Sequence, residues 1–359
     1  EGSHLRGAIY LRLSKDDDGR KESSSIGSQR RLLLRYAQEK GFPIVREYSD
    51  DGWSGTTFDR PAFQEMIRDI KRGEINLVMT KDGLPYYVDE DGEYWRVYLF
   101  IEDATCYDMV KDEEDFYQSA VAFGHFQRLL ADYPAETLHE TIVNFHNTVD
   151  RLDKFKTAVE KDVCHRAADV EKEIQFVLDR TELAHVLCDM QDQGKLPLRV
   201  THNDTKLNNI MIDNATGKAI CVIDLDTVMP GLSVNDFGDS IRFGASTGAE
   251  DEKDLTKVSC DLHLYEVYVK GFIEGCGGAL TETELDMLPM GAILMTFECG
   301  MRFLTDYLEG DHYFKVHREG HNLDRCRTQF KLVKDMEEKL PRMKEIVNKY
   351  KRYCERNEQ

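Results

Sequence analysis

The chain has 359 residues, of which 41% are hydrophobic and 32% are charged, and its formal net charge is −20. This composition is typical of a globular protein of two or three domains, and the acidic balance argues against non-specific binding of the whole chain to nucleic acid or to an anionic membrane. No apolar run approaches the roughly 18 residues of a transmembrane helix, and we expect no signal peptide in the charged residues 1–30. The nine cysteines stand singly, without a Cys-x-x-Cys pair, which predicts reduced thiols in a cytoplasmic protein.

Charge and cysteine content both change near residue 82. Residues 1–82 hold 15 basic and 14 acidic residues, a net of +1, so the remainder carries −21. All nine cysteines lie after residue 82. A change this abrupt predicts segments of different origin. We expect an N-terminal fragment at 1–82, a short strand region with a hinge at 83–103, and a larger domain at 104–359.

The first segment predicts alternating strands and helices. Apolar runs predict the strands, helical spacing predicts the helices, and Gly41 and Gly73 follow the helix ends. The order is strand 8–13, helix 26–40, strand 43–48, helix 61–72 and strand 75–80. A β-α-β-α-β order predicts a parallel sheet with a site at the carboxyl ends of its strands.

Polar motifs follow these strand ends. They are Tyr10-Leu-Arg-Leu-Ser14, Ser24-Ser-Ile-Gly-Ser-Gln29 and Asp50-Asp-Gly-Trp-Ser-Gly-Thr-Thr-Phe-Asp-Arg-Pro61. Together they resemble the catalytic domain of serine recombinases, the resolvases and invertases. The resemblance implies that Ser14 is a nucleophile toward a DNA phosphate and that Arg12 and Arg60 are phosphate ligands. It stops near residue 82, where that family continues with further active-site arginines, a dimerisation helix and a DNA-binding domain.

The second segment changes from strands to helices. Strands are predicted at 86–88 and 94–100 around the turn 89–92, with a hinge at 101–103. Beyond the hinge the pattern is mostly helical, so the predicted fold class is α/β followed by mostly α. The predicted helices are 114–132, 136–160, 166–193, 254–275, 281–308 and 325–352, and short strands are predicted near 198–200, 209–212 and 219–224.

The run 200–210, Val-Thr-His-Asn-Asp-Thr-Lys-Leu-Asn-Asn-Ile, interrupts the helices. It has the pattern His-x-Asp-x-x-x-x-Asn, and the apolar run 219–223 that follows predicts a buried strand ending at Asp224. Phosphoryl transfer needs a carboxylate for the acceptor hydroxyl and oxygen ligands for Mg²⁺ on ATP. Asp204 is the predicted catalytic base, and Asn209 and Asp224 are the predicted metal ligands. Each residue alone is also typical of a turn, but the two motifs in this order favour a kinase.

Several further motifs carry a second resemblance. Residues 84–359 resemble the superfamily of aminoglycoside phosphotransferases and choline kinases, and within it the N-acetylhexosamine 1-kinases. The residues that carry it are Trp95-Arg-Val-Tyr98 and the runs 201–209, 222–231, 236–245 and 298–311. The implied architecture is the C-lobe of a protein-kinase-like fold.

The same resemblance assigns further residues. Arg302 and Tyr313 would line the sugar pocket, and Asp226 would be a further metal ligand. The hinge residues Phe100 and Glu102 would bind the nucleotide. The resemblance gives His202 an orienting role in the loop.

The nucleotide side of this pattern is incomplete. Kinases of the superfamily carry a glycine-containing loop and a lysine over the ATP phosphates, whereas here the resemblance starts at the last strands of that lobe. We therefore expect hexosamine binding with weakened ATP binding and slow phosphoryl transfer from ATP and Mg²⁺ to the anomeric hydroxyl of GlcNAc or GalNAc. The alternatives are a recombinase-derived protein that acts on DNA strands and a hexosamine-binding protein without catalysis. DNA is a partner only in the recombinase alternative, and no membrane partner is expected.

Overall fold

The computed structural model describes residues 7–13, 34–35, 38, 43–51, 61–72, 74, 77–79, 87–88, 94–95, 101 and 103–357. The chain divides into two compact units, Glu1–Glu102 and Asp103–Gln359. The first unit has parallel strands, and the second is mostly helical. The predicted fold class, α/β followed by mostly α, is confirmed.

The first unit contains a three-stranded parallel sheet in the order β2-β1-β3. Ala8 at its centre lies opposite Arg46 and Val78 and is fully buried. Of the predicted helix 26–40, residues 34, 35 and 38 are helical, and the rest lie outside the described residues. The elements are β1 Gly7–Leu13, β2 Ile44–Asp51, helix α1 Pro61–Lys71 and β3 Leu77–Met79.

Two short strands follow in the chain. They are β4 Tyr87–Val88 and β5 Tyr94–Trp95, which pair antiparallel with Tyr87 opposite Trp95. Both lie inside the predicted strands 86–88 and 94–100. The predicted turn between them is outside the described residues.

The second unit is built on helices around one hydrophobic core. Large buried aromatic side chains, Phe237, Tyr265, Tyr268 and Phe272, meet at its centre with ring centroids 5.4–6.2 Å apart. Such tilted and offset contacts stabilise a core beyond the burial of area alone. The helices are α2 Glu113–Leu129, α3 Thr148–Lys161, α4 Glu171–Leu178, α5 Thr181–Asp192, α6 Ser233–Gly244, α7 Leu262–Cys276, α8 Glu282–Glu309 and α9 His321–Asn357.

Two small antiparallel sheets accompany these helices, and all of their strands except β6, which precedes α2, lie between α5 and α6 in the chain. One has the order β6-β8-β9, and in the other β7 pairs with β10. The segment 202–209 connects the two sheets, so both of its ends are fixed by strand pairing. The strands are β6 Ala104–Thr105, β7 Arg199–Thr201, β8 Ile210–Asp213, β9 Ala219–Val222 and β10 Met229–Gly231.

Four predictions on local structure were wrong in detail. The predicted helix 254–275 begins only at Leu262, where Asp261 caps it. The predicted helix 136–160 begins only at Thr148, because Asn147 caps it by accepting a hydrogen bond from the backbone N–H of Asp150. The predicted helix 166–193 is broken at residues 179–180, a turn that the apolar spacing does not record. The strand β9 is not buried: it is an edge strand, and Ile220 is 49% exposed.

Helices α6 and α8 touch backbone to backbone. A Cβ atom added to Gly238 would lie 2.3 Å from the carbonyl oxygen of Gly291, and one added to Gly291 would lie 2.2 Å from that of Val234. Neither position therefore tolerates a side chain without a shift of one helix. This contact fixes the position of α6, whose first turns face the segment 202–205.

Helix α8 is long and apolar enough to cross a membrane by length and composition alone. It has 28 residues, and 78% of its most apolar window is buried inside the second unit. The sequence predicted no transmembrane helix, because it has no apolar run that approaches about 18 residues. The helix buries its apolar side chains by packing between α6 and α9, as a core helix does.

Candidate active site

The segment between β7 and β8 folds around Asp204 and Asn209. The side-chain amide of Asn209 donates to the backbone carbonyl of Asp204 at 2.8 Å and to its carboxylate Oδ2 at 3.2 Å. The other carboxylate oxygen, Oδ1, lies 2.8 Å from the ammonium nitrogen of Lys206. The carboxylate of Asp204 is thus held in place by an amide and a cation while it faces a cavity.

Asp224 is brought to the same place by the end of β9. The backbone N–H of Ile223 donates to the carbonyl of Asn209 at 2.9 Å, and the carbonyl of Ile223 accepts from Nε2 of His202 at 2.9 Å. Asp224 follows directly in the left-handed conformation, at φ 59°. Aspartate adopts this conformation more readily than most residues, and such strain is concentrated at functional sites. The structure therefore joins Asp204 to Asn209 and places Asp224 one residue after a backbone hydrogen bond to Asn209.

The oxygen atoms of this group suit a hard divalent cation. The amide nitrogen of Asn209 is committed to Asp204, and its carboxamide oxygen has no hydrogen-bond partner in the described part of the chain. The carboxylate of Asp224 is exposed, and among the described residues it has no partner either. Asp226 is exposed and makes its own interactions. Among the described residues no three His, Cys, Asp or Glu side chains form a metal cage, but Mg²⁺ needs only one or two carboxylates when phosphates supply further oxygens.

His202 is an internal support of this loop. Its Nε2 donates to Ile223 and its Nδ1 accepts from the backbone N–H of Asp204 at 3.3 Å. The ring packs edge-on against Phe123 and Phe126 of α2. Both ring nitrogens are therefore used within the protein, on the side of the loop away from the cavity.

Asp236 on α6 stabilises the loop by accepting hydrogen bonds from its backbone. Its carboxylate accepts from the backbone N–H groups of His202 and Asn203, at 2.9 and 2.8 Å, and from the side chain of Gln127 at 2.8 Å. It is 1% exposed, and burial raises the pKa of its carboxyl group while the two backbone donors act in the opposite direction. Asp236 was not among the predicted site residues. The only signal in the sequence was its place in the run 236–245, which carried the kinase resemblance without a role.

A cavity of about 550 Å³ opens beside Asp204. Its walls include His146, Lys206, Glu298 and Arg302. Three of the carboxylates in its wall are paired with cations of the protein: Glu298 with His146 at 2.9 Å, Asp239 with Arg242 at 2.9 Å, and Glu250 with Arg242 at 3.0 Å.

Arg302 and Tyr313 occupy different parts of this region. The guanidinium of Arg302 lines the cavity and lies over the rings of Phe145, Tyr313 and Phe314, at 5.2, 5.6 and 5.4 Å from their centroids. Tyr313 is 65% exposed and is not part of the cavity wall, but its hydroxyl accepts from Arg302 at 3.2 Å. Tyr313 therefore reaches the site through Arg302.

Other predicted site residues fall where the structure gives no side chain. Ser14, Arg60, Phe100 and Glu102 lie outside the described residues, and Arg12 is described only as part of the strand β1. Their roles stay predictions. Besides Asp236, the residues that sequence reasoning missed are Lys206, His146 and Glu298. Lys206 lies two residues after Asp204, and Glu298 opens the run 298–311 that carried the kinase resemblance.

Two families match the sequence of the chain. Residues 7–83 match the model described as the resolvase N-terminal domain, and residues 61–262, more than half of the chain, match the model described as the phosphotransferase enzyme family. The two ranges overlap at 61–83, so the second match begins earlier than the predicted start at residue 84. This match supports the kinase-like fold of the second unit.

Two curated proteins match shorter stretches. One is a "Putative DNA recombinase" of Bacillus subtilis (strain 168), 36% identical over 75 residues, which are 21% of this chain and 14% of that protein. The other is "Uncharacterized immunity region protein 3" of Bacillus phage phi105, 34% identical over 65 residues, which are 18% of this chain and 78% of that protein. The chain thus spans only about one seventh of the recombinase's length.

Solved structures of small-molecule kinases are also similar. A choline kinase from Cryptosporidium parvum Iowa II has 12% identity and a TM-score of 0.49, with 74% of this chain and 76% of that chain covered. The microcompartment-associated aminopropanol kinase has 16% identity and a TM-score of 0.47, with 78% and 81% covered. A choline kinase from Streptococcus pneumoniae has 12% identity and a TM-score of 0.41, with 77% and 79% covered.

Proposed function

Because the chain belongs to the phosphotransferase enzyme family, we propose that its second unit transfers the terminal phosphoryl group of ATP to the anomeric hydroxyl of an N-acetylhexosamine. The observation that supports the proposal is that Asp204 lines the cavity while it is hydrogen-bonded to Asn209, whose backbone carbonyl accepts from Ile223, the residue before Asp224. A cytoplasmic location, where ATP is present and thiols stay reduced, is part of this proposal.

Each residue of the site would have a separate role in the reaction. Asp204 would orient the acceptor hydroxyl and take its proton as the hydroxyl attacks phosphorus, and Lys206 would place a positive charge near the transferred group. Asn209 and Asp224, with Asp226 beside them, would hold Mg²⁺. When bound, Mg²⁺ would offset the negative charge of the phosphates.

The electrostatics of the cavity favour an uncharged acceptor over an ammonium compound. Aromatic rings bind an ammonium group through their faces, but here Arg302 already lies over three rings. The carboxylates Asp239, Glu250 and Glu298 are paired with cations of the protein. A second cation near these rings would therefore be repelled by Arg302. The guanidinium N–H groups of Arg302 suit the hydroxyl and acetamido oxygens of an N-acetylhexosamine.

The test is hexosamine-dependent release of ADP from ATP and Mg²⁺ by the full chain, with GlcNAc, GalNAc and choline as acceptors. We expect slow release with the sugars, because the resemblance to the kinases does not include the glycine-containing loop that positions the phosphates. We expect none with choline, because Arg302 already lies over the aromatic rings. Asp204→Asn should lower the rate by about 10²–10⁴-fold, the usual contribution of a positioned base. The exposed Asp132→Asn is the matched control. Release that is independent of sugar, or unaffected by Asp204→Asn, would contradict the proposal.

Binding of sugar without any ADP release would favour the alternative of a non-catalytic hexosamine-binding protein. Isothermal titration with GlcNAc and, separately, with ATP distinguishes the two possibilities. A protein that binds neither ligand would contradict both.

DNA as a partner of the first unit is a separate proposal, supported by the resolvase match over residues 7–83. A gel shift with duplex DNA tests it. We expect no covalent Ser14–DNA adduct in a strand-cleavage assay, because the further arginines that would stabilise the phosphorane have no counterpart in this sequence. Detection of that adduct would favour the recombinase alternative.

A further inference from the structure

His146 connects the cavity wall to the loop that carries Asp204. It lies in the segment before α3, and its side chain is 9% exposed. Its Nδ1 is 2.9 Å from the carboxylate Oε1 of Glu298 on α8, and its Nε2 is 3.2 Å from the backbone carbonyl of Asn203. Both partners are acceptors. While Glu298 is ionised, a neutral imidazole can donate its single N–H to only one of them, so both bonds then form together only in the imidazolium.

The charges around this ring come from three helices. Glu298 and Arg302 face it from α8, Asp236 and Asp239 from α6, and Arg151 of α3 lies near Glu298 and Arg302. Burial lowers the pKa of His146 and so does Arg302, but the attraction and hydrogen bond of Glu298 outweigh them, and the net shift is upward. The surroundings therefore favour the charged ring.

Only one of the two carboxylate oxygens of Glu298 has a hydrogen-bond partner among the described residues. Its Oε1 is bonded to His146, but its Oε2 is buried and has no hydrogen-bond partner. A buried acceptor without a donor is costly, and such atoms in native structures call for an explanation. Glu298 lines the cavity beside Asp204 with its side chain fully covered, so an O–H or N–H group of the acceptor becomes its donor when the carboxylate turns into the cavity.

We propose that His146, as an imidazolium, is a positioning residue that holds the Asn203 carbonyl, and with it Asp204, while it turns Glu298 toward an O–H or N–H donor of the bound acceptor. Glu298 thereby becomes a specificity-determining residue for that donor. This inference rests on the proposed function, since it names the group of the site that recognises the acceptor.

A pH dependence of known sign follows. The pKa of His146 is higher in the folded protein than in the unfolded chain. The contribution of the His146–Glu298 pair to folding stability is therefore complete below about pH 6.5, the usual pKa of histidine. It is lost as the pH rises through the folded-state pKa. Deprotonation removes one of the two hydrogen bonds and releases either Glu298 or the loop.

The experiment has two arms on the full chain. In the first, NMR follows the ring protons of His146, assigned by their absence in His146→Gln, from pH 5 to pH 10. We expect titration above the usual histidine value, returning toward it in Glu298→Gln. Titration at or below the usual value would overturn the charged pair, and this arm needs no sugar.

In the second arm, isothermal titration measures GlcNAc affinity over the same pH range. We expect the affinity to fall by about tenfold as His146 deprotonates, the equivalent of one pKa unit of coupling. Glu298→Gln should bind more weakly and lose this pH dependence, and the partly exposed His185→Gln should behave like wild type. A pH dependence that persists in His146→Gln would overturn the assignment. Absence of GlcNAc binding at every pH would overturn the proposed substrate and the role of Glu298, while the first arm would still decide the charge of the pair.

Discussion

Each unit of the molecule buries an aspartate, but the two are bonded in different ways. Asp69 of the first unit is 2% exposed and accepts from the side chains of Tyr48, at 2.6 Å, and Arg46. Asp236 of the second unit is 1% exposed, and two of its three donors are backbone N–H groups. Buried carboxylates need partners in either case. Only the second arrangement fixes the course of the main chain.

The choice of partners separates a structural contact from a functional one. Tyr48 and Arg46 join strand β2 to helix α1, and Arg46 is itself 45% exposed, so water can replace part of its contact. The donors of Asp236 belong to the two residues directly before Asp204. A change at Asp69 therefore weakens a packing contact, whereas a change at Asp236 moves the catalytic loop.

The largest effect should come from Asp236→Asn. The new amide nitrogen would face a backbone N–H of His202 or Asn203, and that buried donor would lose its acceptor. We expect a loss of about 3 kcal/mol in the free energy of unfolding of the second unit. Chemical denaturation measures it, and GlcNAc titration of the folded fraction should show at least a tenfold loss of affinity. Retention of wild-type binding would mean that the loop does not depend on Asp236.

A smaller effect is expected from Asp69→Asn. It removes the charge that attracts Arg46 but leaves an acceptor for Tyr48. The first unit should lose stability, while sugar-dependent ADP release should stay unchanged. Limited proteolysis of the full chain can follow the two units separately. Loss of ADP release in this variant would show that the first unit takes part in the reaction, which would remove the distinction between the two aspartates.

The smallest effect is a pH dependence of opposite sign at the two positions. The hydrogen bond from Tyr48 and the charge of Arg46 lower the pKa of Asp69, so its contribution is present above about pH 3.9 and is lost as the pH falls through the lower folded-state pKa. Burial raises the pKa of Asp236, so its charged carboxylate lowers the folding stability at neutral pH. This destabilisation disappears as the pH falls toward about 3.9. Denaturation of wild type and the two asparagine variants between pH 3 and pH 7 measures both trends. Trends of the same sign would contradict these assignments.

The sequence predicted the parts of the molecule that depend on neighbours along the chain. The alternating elements of the first unit and the spacing of Asp204 and Asn209 are local patterns, and the parallel sheet and the loop formed accordingly. The supporting residues could not be predicted in this way. Glu298 meets His146 across 152 positions and Asp236 meets His202 across 34, and no periodicity links residues so far apart.

The errors in local structure have a related cause. Before Thr148 the chain forms a short 3₁₀ helix, Ala135–Thr137, and then a loop, and the cap at Asn147 marks where the α-helix begins. The strand β9 is apolar in sequence, but it lies at a sheet edge, so its outer face is exposed. Composition predicts which residues prefer burial, whereas topology decides which of them are covered.

The contact between Gly238 and Gly291 has a consequence for how this site can diversify. The two helices that it joins carry Asp236 and Glu298, one under the loop and the other in the wall of the cavity. No side chains lie between the two helices at this contact, so none can adjust when one helix moves. A tilt of α8 that enlarged the cavity would therefore also move α6 and the loop bonded to it, and Asp204 would lose its position. New acceptor preferences are therefore accessible through exchanges of side chains on a stationary α8, at positions such as Arg302, rather than through repositioning of the helix.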